Sequence, residues 1–465
     1  MAKKNKKSGK AKADSGKKRI AMLSALLMVC GASIVLLNVG YAKEVRKQEA
    51  AQQDVINNGG IASSENEAAV SASVDEIQVI SDASSAEGEP ANFAVDAPDS
   101  AEPAQTQAQD NTAAPVTAAD GDIAARVSKM TLHQKICQMC IVTPEGLTGY
   151  DLVTQAGDAT KSSLEEYPVG GLIYFSANFE DVQQTKDMIN GVQQYNTTVS
   201  DIPLFISVDE EGGVVARCAD ELGTTSFKPM YEYRDQGADT AYNNAKTIAS
   251  DIKGLGFNLD FAPVADTWSN PSNEVIGTRA YSDDFSQTAE LVSSAVRGFE
   301  DGGVACTLKH FPGHGDTAED SHYGTATSAK TLEQLDKEEY QAFRSGIASG
   351  ADMVMVGHIT MTGVDNIPAS LSPTMINGEL RGKLGFNGLV ITDSLAMGAI
   401  TDNYSSAEAA VKVVEAGGDI LLMPYDLGEA VSGLEEAVKN GEISEERIDQ
   451  SVTRILEVKK KRGLI

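Results

Sequence analysis

The chain has 465 residues, room for more than one domain, and carries 38 Lys and Arg against 67 Asp and Glu, a formal net charge of −29. That acidic excess argues against nucleic acid as a partner. Five cysteines are few for an exported protein of this size.

Residues 1–19 form a basic tail, with nine Lys or Arg against the single Asp14. The apolar run from Ile20 to Leu37 follows, about eighteen residues, just enough to span a bilayer as a helix. We read 20–41 as a transmembrane signal-anchor. Basic residues stay on the cytoplasmic side, so the rest of the chain is expected outside, held at the cell membrane. Gly40-Tyr41-Ala42 offers a small-x-small cleavage site, and cleavage there would give a secreted protein. Residues 42–120 are dominated by Ala, Ser, Gln, Asp and Glu, with no Lys or Arg between Lys47 and Arg126. Such a segment cannot bury an apolar core and reads as a disordered, acidic tether.

From 121 to 465 the pattern changes. Thr131-Leu132-His133-Gln134 has the spacing of a helix-capping box, which puts Cys137 on that helix and Cys140 near its end. This Cys-x-x-Cys pair could be a redox pair, but it reads better as small core residues. Short apolar runs then recur at 139–142, 171–175, 204–208, 259–264, 304–308, 353–356, 389–391 and 420–423. Amphipathic stretches at 181–195, 238–255, 286–301, 331–349, 405–416 and 428–440 separate several of them and predict helices. Strands alternating with helices imply a parallel sheet. Eight repeats fit an α/β fold of the (β/α)₈ TIM-barrel type. An open doubly wound sheet is the alternative, but no Gly-rich nucleotide turn follows the first run.

A barrel of this type places its site at the C-terminal ends of the strands. Those ends carry Asn178, Asp209 with Glu210 and Glu211, Asp266, Lys309 and His310, His358, and Asp393. The densest stretch is Lys309 to His322, which holds three of the five histidines together with Asp316 and Asp320. Histidine titrates near neutrality and suits proton transfer, and a carboxylate two residues away in Asp320-Ser321-His322 could orient the ring. Carboxylates with Lys and Arg heads suit a polyhydroxylated substrate. Asp393, ending a buried strand, is a candidate nucleophile for glycosyl transfer. His133, on the early helix, reads as structural.

Lys309-His310-Phe311-Pro312-Gly313-His314-Gly315 with Asp320-Ser321-His322 resembles the signature of family 3 glycoside hydrolases, in the β-N-acetylhexosaminidase branch. Four further motifs agree: Asp209-Glu210-Glu211-Gly212-Gly213 with Arg217, residues 258–266, Ile276-Gly277-Thr278-Arg279-Ala280-Tyr281, and Thr392-Asp393-Ser394-Leu395. The similarity runs from about 123 to 465. The resemblance implies a retaining exo-β-N-acetylglucosaminidase acting on carbohydrate, with peptidoglycan fragments expected as its substrates. It implies Asp393 as nucleophile and His322 as acid/base, paired with Asp320. Asp209, Arg217, Arg279, Lys309 and His310 would hold the terminal N-acetylglucosamine. Asp266 and His358 would shape the pocket floor or serve the structure alone, and His314 would fix the loop.

No metal or other cofactor is implied, and a monomer is expected. Glu210 stands where the family usually has Gln, Val214 where it often has Arg, and Thr278 where it has Asp. Three readings compete: a phosphorylase, in which phosphate replaces water; a metal-dependent hydrolase using His310, His314, Asp316, Asp320 and His322; and a non-catalytic wall-binding barrel.

Overall fold

The computed structural model describes residues 121–317 and 326–465. The basic tail, apolar run and acidic tether expected over 1–120 lie outside the described residues, as do Asp320 and His322. Among the described residues no helix is long and apolar enough to cross a membrane.

Eight parallel strands form the barrel: β1 (Cys140–Val142), β2 (Gly171–Ile173), β3 (Phe205–Val208), β4 (Leu259–Asp260), β5 (Ala305–Phe311), β6 (Met353–Val356), β7 (Leu389–Thr392) and β8 (Leu421–Leu422). Each overlaps one of the predicted apolar runs. Neighbours follow chain order from β1 to β7, and β8 pairs with β1 through Cys140 and Leu421. A bridge between Ile391 and Ile420, with the Thr392 amide donating to the Ile420 carbonyl at 3.1 Å, brings β7 against β8. The ring is thereby all but closed, and every residue of the eight strands is buried. That is why the strands read as continuous apolar runs rather than as alternating ones.

Two elements differ from expectation. The fifth strand does not stop at Leu308 but runs on through Lys309 and His310 to Phe311. Its carbonyl at Lys309 accepts from Ala265 at 2.6 Å, and Phe311 pairs with Val356. Both polar side chains find charged partners inside the barrel, which removes the penalty of burying them there. The stretch 331–349 is not one helix but two, Leu332–Lys337 and Tyr340–Ala348. The turn at Glu338 and Glu339 is held because both carboxylates take the Lys330 ammonium, at 2.8 and 2.7 Å.

The helix Glu445–Lys461 carries no sequence prediction above. Its buried Ile448, Val452, Ile455 and Leu456 recur at helical spacing. It seals the N-terminal end of the barrel. Lys459 Nζ donates to Gln138 Oε1 at 3.1 Å, just before β1, and to the Gly170 carbonyl at 3.0 Å, just before β2. Arg454 meets Asp419 before β8 at 3.0 Å, and Lys461 meets Asp352 before β6 at 2.8 Å. The Thr131 capping box forms with Gln134 as expected. Cys137 and Cys140 are both buried and unpaired, and burial raises both thiols well above their ordinary range. That is how small core residues behave, not a redox couple.

Candidate active site

A cavity of about 360 Å³ opens at the C-terminal end of the strands. Asp209, Arg217, Arg279, Lys309, His310 and Asp393 all line it, so six residues spread over 185 positions converge on one space. Glu211 and His314 line it too, with Phe175, Phe261, Met355 and Leu422 supplying apolar wall.

The charged wall is built on Glu211, which sequence reasoning left unassigned. Glu211 lies in a short strand, Glu210–Gly212, that pairs antiparallel with Val215–Ala216. Positive φ at Gly212 and Gly213, +85° and +64°, turns this hairpin, a conformation side chains with a Cβ resist. Side chains two apart on extended chain share a face, so Asp209 and Glu211 both reach the cavity. That alternation is the signal that could have singled out Glu211. Lys309 Nζ sits between them, 2.8 Å from Asp209 Oδ1 and 2.7 Å from Glu211 Oε1. Arg279 grips the same carboxylate with two parallel bonds, Nε at 2.9 Å and Nη2 at 2.7 Å. Burial alone would raise the Glu211 pKa, but Arg279 and Lys309 outweigh it and hold the carboxyl far below its usual range. Burial would likewise lower the Lys309 pKa, but Asp209 and Glu211 keep it above its ordinary value. Glu211 and Lys309 are therefore both charged at neutral pH.

His310 is fixed from below. Asp266, fully buried after β4, accepts from the backbone amides of His310 at 3.1 Å and of His314 at 2.7 Å. Its Oδ2 is 2.7 Å from His310 Nδ1. Burial would raise the Asp266 pKa, but the His310 charge and bond bring it down, so the carboxylate stays ionised. An ionised acceptor at that distance places a proton on Nδ1 and fixes the orientation of the ring. His314 Nδ1 meets Thr317 Oγ1 at 2.7 Å, and Asn273 donates to the His314 carbonyl at 2.7 Å. Gly315 packs so closely on the Thr267 carbonyl that a Cβ would lie 1.8 Å from it.

Arg217 opens the helix Arg217–Leu222. Among the described residues it forms no ion pair, and its Nε is buried without a hydrogen-bond partner. Below it, Glu210 takes the Cys218 and Ala219 amides at 2.6 and 3.0 Å, and burial lifts this carboxyl to about 7. Asp393 follows β7. Its amide donates to the Val356 carbonyl at 2.9 Å, and its Oδ1 accepts from the Ser394 amide at 2.7 Å.

Four of the strand-end residues do not line the cavity: Glu210 and Asp266, which brace its wall from behind, and Asn178 and His358. Asn178 is buried and ties neighbouring loops together through Glu145 Oε1 at 2.6 Å and the Val153 carbonyl at 2.9 Å. His358 is buried between Ser370 Oγ at 2.7 Å and the Ser394 carbonyl at 2.9 Å, where it supports the segment bearing Asp393. His133 bonds Glu435 and the Glu166 carbonyl, away from the cavity. Among the described residues, no three His, Cys, Asp or Glu side chains are grouped to hold a metal ion.

Residues 131–458 match the profile described as Glycosyl hydrolase family 3 N terminal domain. The chain is 32% identical over 324 residues to a beta-hexosaminidase A of Pseudoalteromonas piscicida, covering 64% of this chain but only 54% of that protein. It is 34% identical over 288 residues to a beta-hexosaminidase of Stenotrophomonas maltophilia, covering 60% of this chain and 82% of that protein. A solved family 3 beta-N-acetylglucosaminidase from Paenibacillus sp. superposes with a TM-score of 0.68 at 41% identity, over 72% of this chain and 63% of that one.

Proposed function

The chain belongs to glycosyl hydrolase family 3, and from that premise we propose that it is a retaining, exo-acting β-N-acetylglucosaminidase. The observation that carries the reading is the joined wall Asp209–Lys309–Glu211–Arg279 facing the same cavity as Asp393. Paired, desolvated charges of both signs present donors and acceptors at fixed positions, which is what discrimination among sugar hydroxyls requires. At about 360 Å³ the cavity lies near the small end of ligand pockets and has room for one sugar unit. An exo-acting enzyme needs no more.

Asp393 attacks the anomeric carbon as the bond to the leaving oxygen breaks. His322 gives that oxygen its proton. Water then attacks the same carbon, its proton passes to His322, and the bond to Asp393 breaks. Two inversions retain the β configuration. Asp320 holds the His322 ring and stabilises its charged form. Asp209, Arg217, Arg279, Lys309 and His310 bind the terminal sugar. The substrate source we favour is peptidoglycan fragments, reached from an N-terminal membrane segment that leaves the catalytic domain outside the cell.

The test is release of the aryl group from an aryl β-N-acetylglucosaminide by the full chain and by Asp393→Ala, with chelator and again with added phosphate. Release that survives chelator and vanishes in the variant supports the glycosidase. Stimulation by phosphate would instead make the chain a phosphorylase. No release, or release untouched by the substitution, would overturn the reading.

A further inference from the structure

Among the described residues, the large apolar side chains left exposed are Tyr150, Leu152, Val182, Val214 and Tyr425. All five lie on segments that follow the C-terminal ends of strands, on the face that carries the cavity. They follow β8, β1, β2 and β3, which are consecutive neighbours in the barrel. The rim after β4 to β7 and the opposite face carry none among the described residues. An exposed apolar residue on its own needs no explanation. An arc of them on one half of the mouth of a polar cavity does.

The arc adjoins the cavity along the chain at two points. Val214 adjoins Val215, which lines it, and Tyr425 lies two residues past Met423, which also lines it. Met423 is the one non-glycine residue among those described with left-handed φ, +49°. Its amide is pinned to the Ile141 carbonyl at 2.7 Å. Strain of this kind persists where the surroundings impose it, and it sits two residues before the tyrosine that stands 78% exposed. Beside Tyr425 a second hollow, of about 390 Å³, is lined by Leu395, Thr401, Tyr404 and Glu429. Leu395 is two residues past Asp393, so this hollow begins where the bond-breaking segment ends.

We propose that Tyr425, with Tyr404 and the adjoining arc, forms the subsite for the leaving-group saccharide, the sugar on the far side of the cleaved bond. This rests on the glycosidase reading above. A cavity sized for one sugar must deliver the next one to its rim. Tyrosine rings offer a rigid apolar face for the C–H side of a pyranose. The Thr401 hydroxyl and the Glu429 carboxylate offer partners for its hydroxyls. A saccharide fits this mixture better than a purely apolar ligand does.

The full chain would be compared on two substrates. N-acetylglucosaminyl fluoride has a single atom as leaving group. The β-1,4-linked N-acetylglucosamine trisaccharide has a disaccharide as leaving group, which the proposed subsite would hold. Tyr425→Ala is expected to raise KM for the trisaccharide about tenfold, a size in keeping with one lost aromatic contact, and to leave fluoride hydrolysis within about twofold. Tyr425→Phe, which keeps the ring, should restore the trisaccharide KM. Equal losses on both substrates, an unchanged trisaccharide KM, or a wild type that cleaves only the fluoride would each overturn the subsite. A wild type that cleaves neither would overturn the glycosidase reading itself, a different failure.

Discussion

Glu211 and Arg279 lie 68 positions apart in the chain and meet in a two-pronged ion pair, 2.7 and 2.9 Å, with the carboxylate side chain wholly buried. Lys309 shares the same carboxylate. The three groups hold one another in place, because none can move without leaving a buried charge unpaired.

Glu211→Ala should therefore destabilise the fold by about 3–5 kcal/mol, the usual result of removing one partner from a buried pair. Chemical denaturation would measure it. A loss under about 1 kcal/mol would mean that water reaches the two cations and that the wall is less dry than its burial implies.

Asp266→Asn keeps the shape but removes the ionised acceptor that fixes the His310 proton on Nδ1. Hydrogen bonds to charged groups contribute about 1.5–3 kcal/mol, so a drop in kcat/KM of roughly 10- to 150-fold is expected. A circular dichroism melt close to wild type would separate this from unfolding. Unchanged kinetics would remove His310 from the working site.

His322→Ala should slow cleavage chiefly of substrates with poor leaving groups, since an activated aryl group departs with little protonation. The measurement is kcat/KM across a series of aryl leaving groups of different acidity. A uniform loss across the series would count against His322 as the acid.

Glu210 gives a pH signature in stability. Burial lifts its folded pKa from the ordinary 4.5 to about 7. Between those values the folded chain holds a proton that the unfolded chain has lost. This contribution is thus present below pH 4.5 and is lost as pH rises towards 7, by up to about 1.4 kcal/mol per pH unit. Glu210→Gln should flatten that fall in a urea titration at pH 4.5 to 7. Identical slopes for the two proteins would place the proton elsewhere.

Lys459 works in the opposite sense. Burial lowers its pKa from 10.5 to about 7, and the ammonium meets Gln138, the Gly170 carbonyl and the face of Phe205, none of them anionic. From pH 7 to 10.5 the unfolded chain binds the extra proton, so stability rises with pH across that window. Relative to Lys459→Met, the wild type should gain up to about 1.4 kcal/mol per unit there, measured by denaturant melts at pH 7, 8 and 9.

What the sequence by itself determined is the framework. Eight buried parallel strands must be apolar on both faces, so Met353–Val356 and its counterparts stand out as short runs, and the strand-end rule then drew Asp209, Lys309, His310 and Asp393 towards one pocket. Arg217 and Arg279 came from motif likeness, because neither ends a strand, yet both line the same space. Only the tertiary structure decided which of these charges neutralise one another. Glu211 is the hub because Lys309 arrives from β5 and Arg279 from the short helical turn Gly277–Arg279. Asp266 sets the His310 ring from 44 residues away. Glu338 and Glu339 hold a split helix apart because Lys330 lies between them. The first two outcomes depend on desolvation and on distances of about 3 Å between groups remote in the chain, which local spacing does not encode, and the third on an ion pair that forms only once the helix has already been broken around it.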